Sequence, residues 1–510
     1  MNHWAHPIVG CEEARALETR LFGGDEAREW PAMQRAGRAL ADAVLLDYEA
    51  IGGFPADGSI LVLVGKGHNG GDALLATQAI LQRFPGARAE VVFAFGERKL
   101  RPLAARAWRE LVHAAGGRVV SRGPAADQWA SLTGEYSIGL DGVFGFQFRP
   151  PLPPEVASLA NRVNALSIRL RAAVDWPSGV SEEDDRHATV FRADFTYATG
   201  CVKTPVVNGL NAASVGRLRY LDLGFFGPET TEGRLNVLTP AVLAPLARLR
   251  DPDSDKRDYG HVFIVGGSRD YPGAILMTVL AALRSGAGLV TAFVPASLAP
   301  AFAAQAPEAM WVGWPETAKG GLSVARRPLL DSKLERATAL VIGPGLGREP
   351  ETLALAVGIV ESSPVPVVID ADALQWDIAR AGTAPRILTP HLGELKRVLE
   401  GDDFYGSPAG REAVVAIKGR LTGVTLSGRG GYYSPFGGPV LARGGSGDLL
   451  AGIIGTLLAQ SPDDALLAAV RGVVWHGLAA DALARARGQV AVRTTELLDY
   501  LPAALRSTRE

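Results

Sequence analysis

Leu441-Ala-Arg-Gly-Gly-Ser-Gly-Asp-Leu-Leu-Ala-Gly-Ile-Ile-Gly455 sets a glycine-rich turn and one aspartate, Asp448, against the start of an apolar helix. Glycines let the main chain approach a ligand closely, and the free N–H groups of a first helical turn attract anions. A carboxylate belongs in a phosphate cradle only if it has a task there. The task open to Asp448 is to take a proton from a hydroxyl that attacks a phosphoryl group. The commoner use of an Asp at such a place is as a helix N-cap. Three glycines in the four residues before it, with small residues along the helix that follows, favour phosphate.

Outward from this turn the second half of the chain alternates short apolar runs with helical stretches. His261-Val-Phe-Ile-Val265 runs into Gly266-Gly-Ser268 and a predicted helix over 273–285. Strands are predicted near 288–293, 339–342, 365–369, 414–417 and 424–426, and helices over 448–459 and 464–485. The first half shows the same habit. Apolar residues at three- and four-residue spacing predict helices over 11–21 and 30–46. Ile60-Leu-Val-Leu-Val64 then leads into Gly65-Lys-Gly-His-Asn-Gly-Gly-Asp72 and a helix to 81, with strands near 89–95, 136–140, 171–174 and 195–198. Such alternation predicts parallel sheets covered on both faces, with ligands at the carboxyl ends of strands. The turn-rich segments Gly227-Pro-Glu-Thr-Thr-Glu-Gly233 and Arg250-Asp-Pro-Asp-Ser-Asp-Lys-Arg-Asp258 bracket a linker. A chain of 510 residues exceeds one ordinary core, and two α/β domains are expected, 1–228 and 229–510.

Hydrophobic residues at 47% and charged residues at 21% describe a globular protein with ample apolar surface to bury. A formal net charge of -2 without charge blocks argues against nucleic acid or an anionic membrane as partner. Two cysteines, Cys11 and Cys201, make neither a disulfide framework nor a metal cluster, as in a reducing cytosol. Met1-Asn-His-Trp-Ala-His-Pro7 lacks a basic segment followed by an apolar one, so no signal peptide is expected. The apolar helix near 449–459 is too short and glycine-broken to cross a bilayer. A cytoplasmic enzyme is expected, with a homo-oligomer as its assembly.

Several motifs of the second half fall at predicted strand ends. Ile342-Gly-Pro-Gly-Leu-Gly347 gives main chain a close approach to a flat or phosphorylated ligand, though strand-to-helix turns are often glycine-rich for packing alone. Asp370 and Asp372 in Val368-Ile-Asp-Ala-Asp-Ala-Leu374 could hold Mg²⁺ through water, with turn and cap chemistry an equal alternative for each. Leu388-Thr-Pro-His-Leu-Gly-Glu394 sets His391 and Glu394 three residues apart, and a lone His is more often structural than catalytic. Lys418 is a point charge suited to nucleotide phosphates.

In this order the motifs Val265-Gly-Gly-Ser268, Pro272-Gly-Ala274, Leu283-Arg-Ser-Gly-Ala-Gly288, Gly343-Pro-Gly-Leu-Gly347, Asp370-Ala-Asp372, Thr389-Pro-His-Leu-Gly-Glu394, Lys418-Gly419 and Gly444-Gly-Ser-Gly-Asp448 resemble the ribokinase-like fold. Within it they resemble the NAD(P)H-hydrate dehydratase family. The resemblance implies that Ala274, Gly345, His391 and Asp448 line a hydrated-nicotinamide site. It implies that Lys418, Gly419, Arg420, Leu421, Thr422 and Gly447 hold an adenine nucleotide, expected to be ADP, with Mg²⁺. Asp448 would deprotonate the C6 hydroxyl of the hydrated ring, and that oxygen would attack the terminal phosphoryl group. Phosphate would then leave, driven by the ring nitrogen lone pair, restoring NADH or NADPH.

In the first half, Gly65-Lys-Gly-His-Asn-Gly-Gly-Asp72 departs from the dinucleotide turn G-x-G-x-x-G, because position 69 is Asn and the glycine pair comes late. Leu140-Asp-Gly-Val-Phe-Gly145 and Val174-Asp-Trp-Pro-Ser-Gly179 put acids at two more strand ends. Asn69, Asp141 and Ser178 together would suit a weakly held monovalent cation better than Mg²⁺, although spacing alone favours three unrelated turn residues. With Met33-Gln-Arg-Ala-Gly37 and Lys203, these motifs make 12–225 similar to the NAD(P)H-hydrate epimerase domain, Rossmann-like and often fused to the dehydratase. The resemblance implies potassium at Asn69, Asp141 and Ser178. It implies substrate contacts from His68, Asn69, Gly70, Gly71, Asp72, Gly145, Phe146, Gln147, Phe148, Arg149, Pro150, Pro151 and Asp175, with Asp175 as the acid/base that lets the C6 hydroxyl leave and return. The expected fold is two three-layer α/β domains, Rossmann-like then ribokinase-like. His68 stands where the family has a second Asn, Ala73 where it has Gly, and Phe146-Gln-Phe148 is bulkier than the family's step after Gly145. A vitamin or sugar kinase of the same fold, and a non-catalytic first domain, are the competing readings.

Overall fold

The structure is a computed structural model that describes residues 4–506 except 126–128, 130–131, 147, 183–188, 228–229, 231, 400–403, 406, 408 and 428. The chain forms two compact units, one mainly His6–Gly233 and the other mainly Arg234–Leu483.

The first unit is built on a seven-stranded sheet in the spatial order Val119–Arg122, Arg88–Phe93, Ser59–Val64, Glu135–Gly142, Ser167–Val174, Phe195–Thr199 and Arg217–Leu221. Every pairing is parallel. Successive side chains of Ser59–Val64 point to opposite faces, and both faces are covered. Ile60, Val62 and Val64 enter one core with Leu40, Val44 and Leu74, while Leu61 and Leu63 enter another with Val156, Leu159 and Phe191. That is a three-layer unit. The chain leaves Ser59–Val64 toward one edge and returns to its other side at Glu135–Gly142. A doubly wound sheet opens its ligand crevice where the winding reverses in this way.

The helix predicted from residue 30 begins earlier, as Glu26–Tyr48, because the Asp25 carboxylate accepts the Ala27 N–H at 2.9 Å and caps it.

The second unit contributes ten strands to its sheet. Met310–Trp314, Leu289–Pro295, His261–Val265, Ala339–Ile342, Val367–Ile369, Arg386–Leu388 and Val414–Ile417 follow one another in parallel. Thr422–Leu426 then turns back antiparallel, as does Arg429–Ser434 against it. Leu235–Leu238 pairs in parallel with Arg429–Ser434. This last strand falls inside the stretch read from sequence as linker. Four residues between turn-rich flanks are too few to show a period, so only the pairing reveals them.

One face of this sheet packs Phe263, Val265, Leu340 and Ile342 against Leu355 and Ile359. The other lies under helix Ser446–Gln460, where a Cβ on Gly455 would come within 2.4 Å of Val341. Helix Pro272–Arg284 runs beside it, and the Thr456 hydroxyl donates to the Ala282 carbonyl at 3.2 Å. Among the described residues one helix, Ala465–Arg487, is long and apolar enough to cross a membrane, and 72% of its most apolar window is buried. Its length follows from its role as a core helix.

Candidate functional site

In the first unit the crevice is a cavity of about 440 Å³. The turn after Ser59–Val64 delivers helix His68–Arg83 to one side of it. Of the residues expected at a ligand, His68, Asn69, Asp72, Gly145, Phe146, Phe148, Arg149, Pro151 and Asp175 line it. Gly70 and Gly71 are buried in the helix behind them, Pro150 lines a smaller cavity, and Gln147 lies outside the described residues. His68 Nε2 stands 3.3 Å from Glu29. Ala73 is fully buried and helical, so its methyl group carries no backbone strain.

Asn69, Asp141 and Ser178, far apart in sequence, meet around Phe144. The Asn69 amide donates to the Phe144 and Val174 carbonyls at 3.1 and 3.0 Å. The Phe144 N–H donates to the Ser178 hydroxyl oxygen at 2.9 Å. Asp141 accepts the Ser178 N–H and hydroxyl, both at 2.7 Å, and the Val143 N–H at 3.2 Å. Burial pushes the Asp141 carboxyl up to about 6 against the pull of these bonds. No cationic side chain among the described residues pairs with it. A buried carboxylate, a hydroxyl and an amide without a resident counter-charge fit a weakly hydrated monovalent cation.

Asp175, at the end of Ser167–Val174, is 2% exposed and has φ +69°. A side chain held in the left-handed region is a costly conformation of the kind kept at functional sites. Its carboxylate is ion-paired with Lys203, itself 1% exposed. Burial lowers the lysine, but Asp175 with Cys201 and Glu18 together hold the ammonium above its ordinary range. Glu18 closes this side, and burial pushes it up to about 7. The opposite wall is aromatic: the Phe144 ring lies 5.7 Å from Phe95 and 4.8 Å from Phe148, with Lys66 Nζ 4.4 Å over Phe95. A flat ring and anionic groups would both find complements here.

In the second unit Asp448 is the third residue of Ser446–Gln460, which Gly445 opens at φ +91°. Lys418 follows strand Val414–Ile417 and stands 2.9 Å from Asp370 and 3.9 Å from Glu394. Thr389 also donates to Asp370 at 2.7 Å. Any Cβ at Gly447 would sit 3.1 Å from Lys418 Nζ, so lysine and glycine loop share one small space. Burial pushes Asp448 up to about 6, and Asp370 adds repulsion that Lys418 partly offsets. Gly345 and Ala274 are neighbours: a Cβ on Gly345 would lie 3.0 Å from that of Ala274. Gly419, Arg420 and Leu421 form the turn between Val414–Ile417 and Thr422–Leu426.

His391 caps helix Leu392–Leu399. Its Nδ1 accepts the Gly393 and Glu394 N–H groups at 3.0 and 3.3 Å, and Glu394 accepts the His391 N–H at 2.9 Å. Asp372 accepts the Gly347 N–H at 3.1 Å and pairs with Arg348 at 3.1 Å. Among the described residues no group of three His, Cys, Asp or Glu gathers as a metal cluster.

A family model described as NAD(P)H-hydrate dehydratase matches residues 262–503, and one described as YjeF-related protein N-terminus matches 31–205. The bifunctional NAD(P)H-hydrate repair enzyme Nnr of Gloeobacter violaceus is 35% identical over 507 residues, spanning 94% of this chain and 93% of that protein. The chain belongs to the bifunctional NAD(P)H-hydrate repair enzyme family. The enzyme of the same name from Moorella thermoacetica is 34% identical, over 94% of this chain and 92% of that one. Among solved structures, an ADP/ATP-dependent NAD(P)H-hydrate dehydratase from Bacillus subtilis, co-crystallised with ATP/Mg²⁺, is 28% identical with a TM-score of 0.44. It covers 53% of this chain and 97% of its own.

Three residues of this repair-family chain, Lys203, Glu18 and His476, were not read from the sequence as site residues. Both Lys203 and Glu18 line the first cavity far in sequence from the motifs they meet; Lys203 entered the sequence reading only through the family resemblance, without a role, and Glu18 carries no local signal. His476 is a lone imidazole in an apolar helix; it is 6% exposed, its ring reaches the Ser446 main chain, and burial lowers it to about 4. That neutral ring in Val473-Val-Trp-His-Gly-Leu was the one detectable sign.

Proposed function

We propose that the chain repairs hydrated NADH and NADPH in two steps: the first domain, 1–228, interconverts R and S hydrates, and the second, 229–510, dehydrates the S form at the expense of ADP. The observation that carries the reading is Asp448, a partly desolvated carboxylate in the first turn of a helix, within a glycine loop that also touches Lys418. As a base it takes the proton of the C6 hydroxyl, and the freed oxygen attacks the terminal phosphoryl group. The loop N–H groups, with Gly447 among them, and Lys418 to Thr422 hold the nucleotide, and Ala274, Gly345 and His391 border the nicotinamide. Mg²⁺, when bound with the nucleotide, supplies charge neutralisation on the phosphoryl oxygens. In the first domain Asp175 serves as acid/base, and Asn69, Asp141 and Ser178 would hold K⁺ beside the loop 143–145. Two free cysteines, Cys11 and Cys201, suit a cytoplasmic enzyme.

The test is to incubate the protein with mixed R/S hydrated NADH, Mg²⁺ and either ADP or ATP, and to follow the reduced-nicotinamide absorbance and phosphate release. Full recovery with inorganic phosphate is expected. Recovery that stops at the S share removes the epimerase, a stable phosphoester makes the protein a kinase, and no recovery rejects the function.

A further inference from the structure

We propose that Asp72 is a second acid/base of the epimerase cavity, working against Asp175, so that each epimer is handled by its own carboxyl. This rests on the epimerase reading above.

Both side chains line the same cavity from different elements, Asp72 from helix His68–Arg83 and Asp175 from the end of strand Ser167–Val174. Their surroundings differ sharply. Asp175 is ion-paired with the buried Lys203 ammonium. Asp72 is 7% exposed, its Oδ1 has no hydrogen-bond partner among the described residues, and no described cation pairs with it. A buried polar atom left unpartnered in a native structure calls for an explanation. A protonated carboxyl waiting for the substrate hydroxyl supplies one. Burial first, then repulsion from Asp175 and Glu18, holds Asp72 well above the ordinary carboxylate range. One carboxyl bonded to a lysine and one left without a partner in the same cavity suit different proton-transfer roles.

The step balances with no further reagent than water. The Asp72 proton passes to the C6 oxygen, and the C–O bond breaks with its electron pair leaving on that oxygen as water. The ring nitrogen lone pair forms a C=N bond, giving a cation. Water then adds to C6 from the other face, the C=N pair returns to nitrogen, and the excess proton goes to Asp175. The enzyme is left with Asp72 ionised and Asp175 protonated, the form competent for the reverse conversion. The proton returns from Asp175 to Asp72 through solvent between turnovers, or in the next conversion in the reverse direction.

The experiment uses the full chain with R-hydrated NADH in ¹⁸O-water. Wild type should place one solvent oxygen at C6 for each R-to-S conversion, whereas ring opening and reclosure would retain the original oxygen. Asp72→Asn should slow the conversion by roughly 10² or more, the usual weight of a general acid, while still binding the R hydrate. Asp72→Glu, which restores a carboxyl, should recover part of the rate and controls for misfolding. Retained oxygen in the wild type, or an Asp72→Asn rate close to wild type, overturns the proposal. A wild-type chain that converts R to S no faster than buffer overturns the epimerase reading itself.

Discussion

Asp448 and Asp175 are both buried-side carboxylates facing a lysine, yet their settings prepare them differently. Lys203 bonds Asp175 directly, whereas Lys418 is bonded to Asp370 and only moderates the rise of Asp448. A carboxyl pushed up to about 6 is a stronger base than an exposed Asp and is still largely ionised at neutral pH. It must be ionised to accept a proton, so ADP-dependent dehydration should fall as pH drops through about 6 and level off above it. Asp448→Asn should abolish turnover while nucleotide affinity stays within a small factor; a pH–kcat profile with nucleotide titration checks both, and surviving turnover would remove Asp448 from the chemistry. At this scale the sequence spoke through glycine. Three glycines marked Asp448 as exceptional, whereas the Asp175–Lys203 pair joins residues 28 positions apart and exists only once two strand ends are neighbours.

Helices Ser446–Gln460 and Pro272–Arg284 approach each other through Gly452, where a Cβ would come within 2.3 Å of the Thr278 carbonyl oxygen. Both begin at the proposed dehydratase site, carrying Asp448 and Ala274 in their early turns. Gly452→Val forces them apart, and overpacking of this kind costs about 1–3 kcal/mol. Thermal melting should fall for the second unit and dehydration should weaken, with epimerisation unchanged; an unaltered dehydration rate would show that this helix contact does not set the site. Long amphipathic or strongly apolar elements were legible because their period repeats. Arg386–Leu388 was not, since it is three residues long and opens with a charge. The two terminal nitrogens of its buried guanidinium donate to the carbonyls of Ala379, Ala381, Gly382 and Ala384, a use of arginine that no local pattern announces. Arg429–Ser434 was hidden by its glycine pair, which reads as turn.

At the scale of the whole molecule each unit has its own core and its own proposed site. If each works alone, an equimolar mixture of Asp175→Asn and Asp448→Asn should recover mixed hydrates completely, at a rate limited by release of the S epimer into solvent. A mixture that stalls at the S share would show that the hydrate is never released. The strand Leu235–Leu238 has a consequence for anyone cutting the gene. The dehydratase family match begins at residue 262, yet the sheet of that unit begins earlier, with main-chain bonds from Leu235–Leu238 to Arg429–Ser434. A fragment trimmed to the match would bare a flat ribbon of unpaired N–H and carbonyl groups, an open template for other chains. Its insolubility would then be blamed on the enzyme when the fault lay with the scissors.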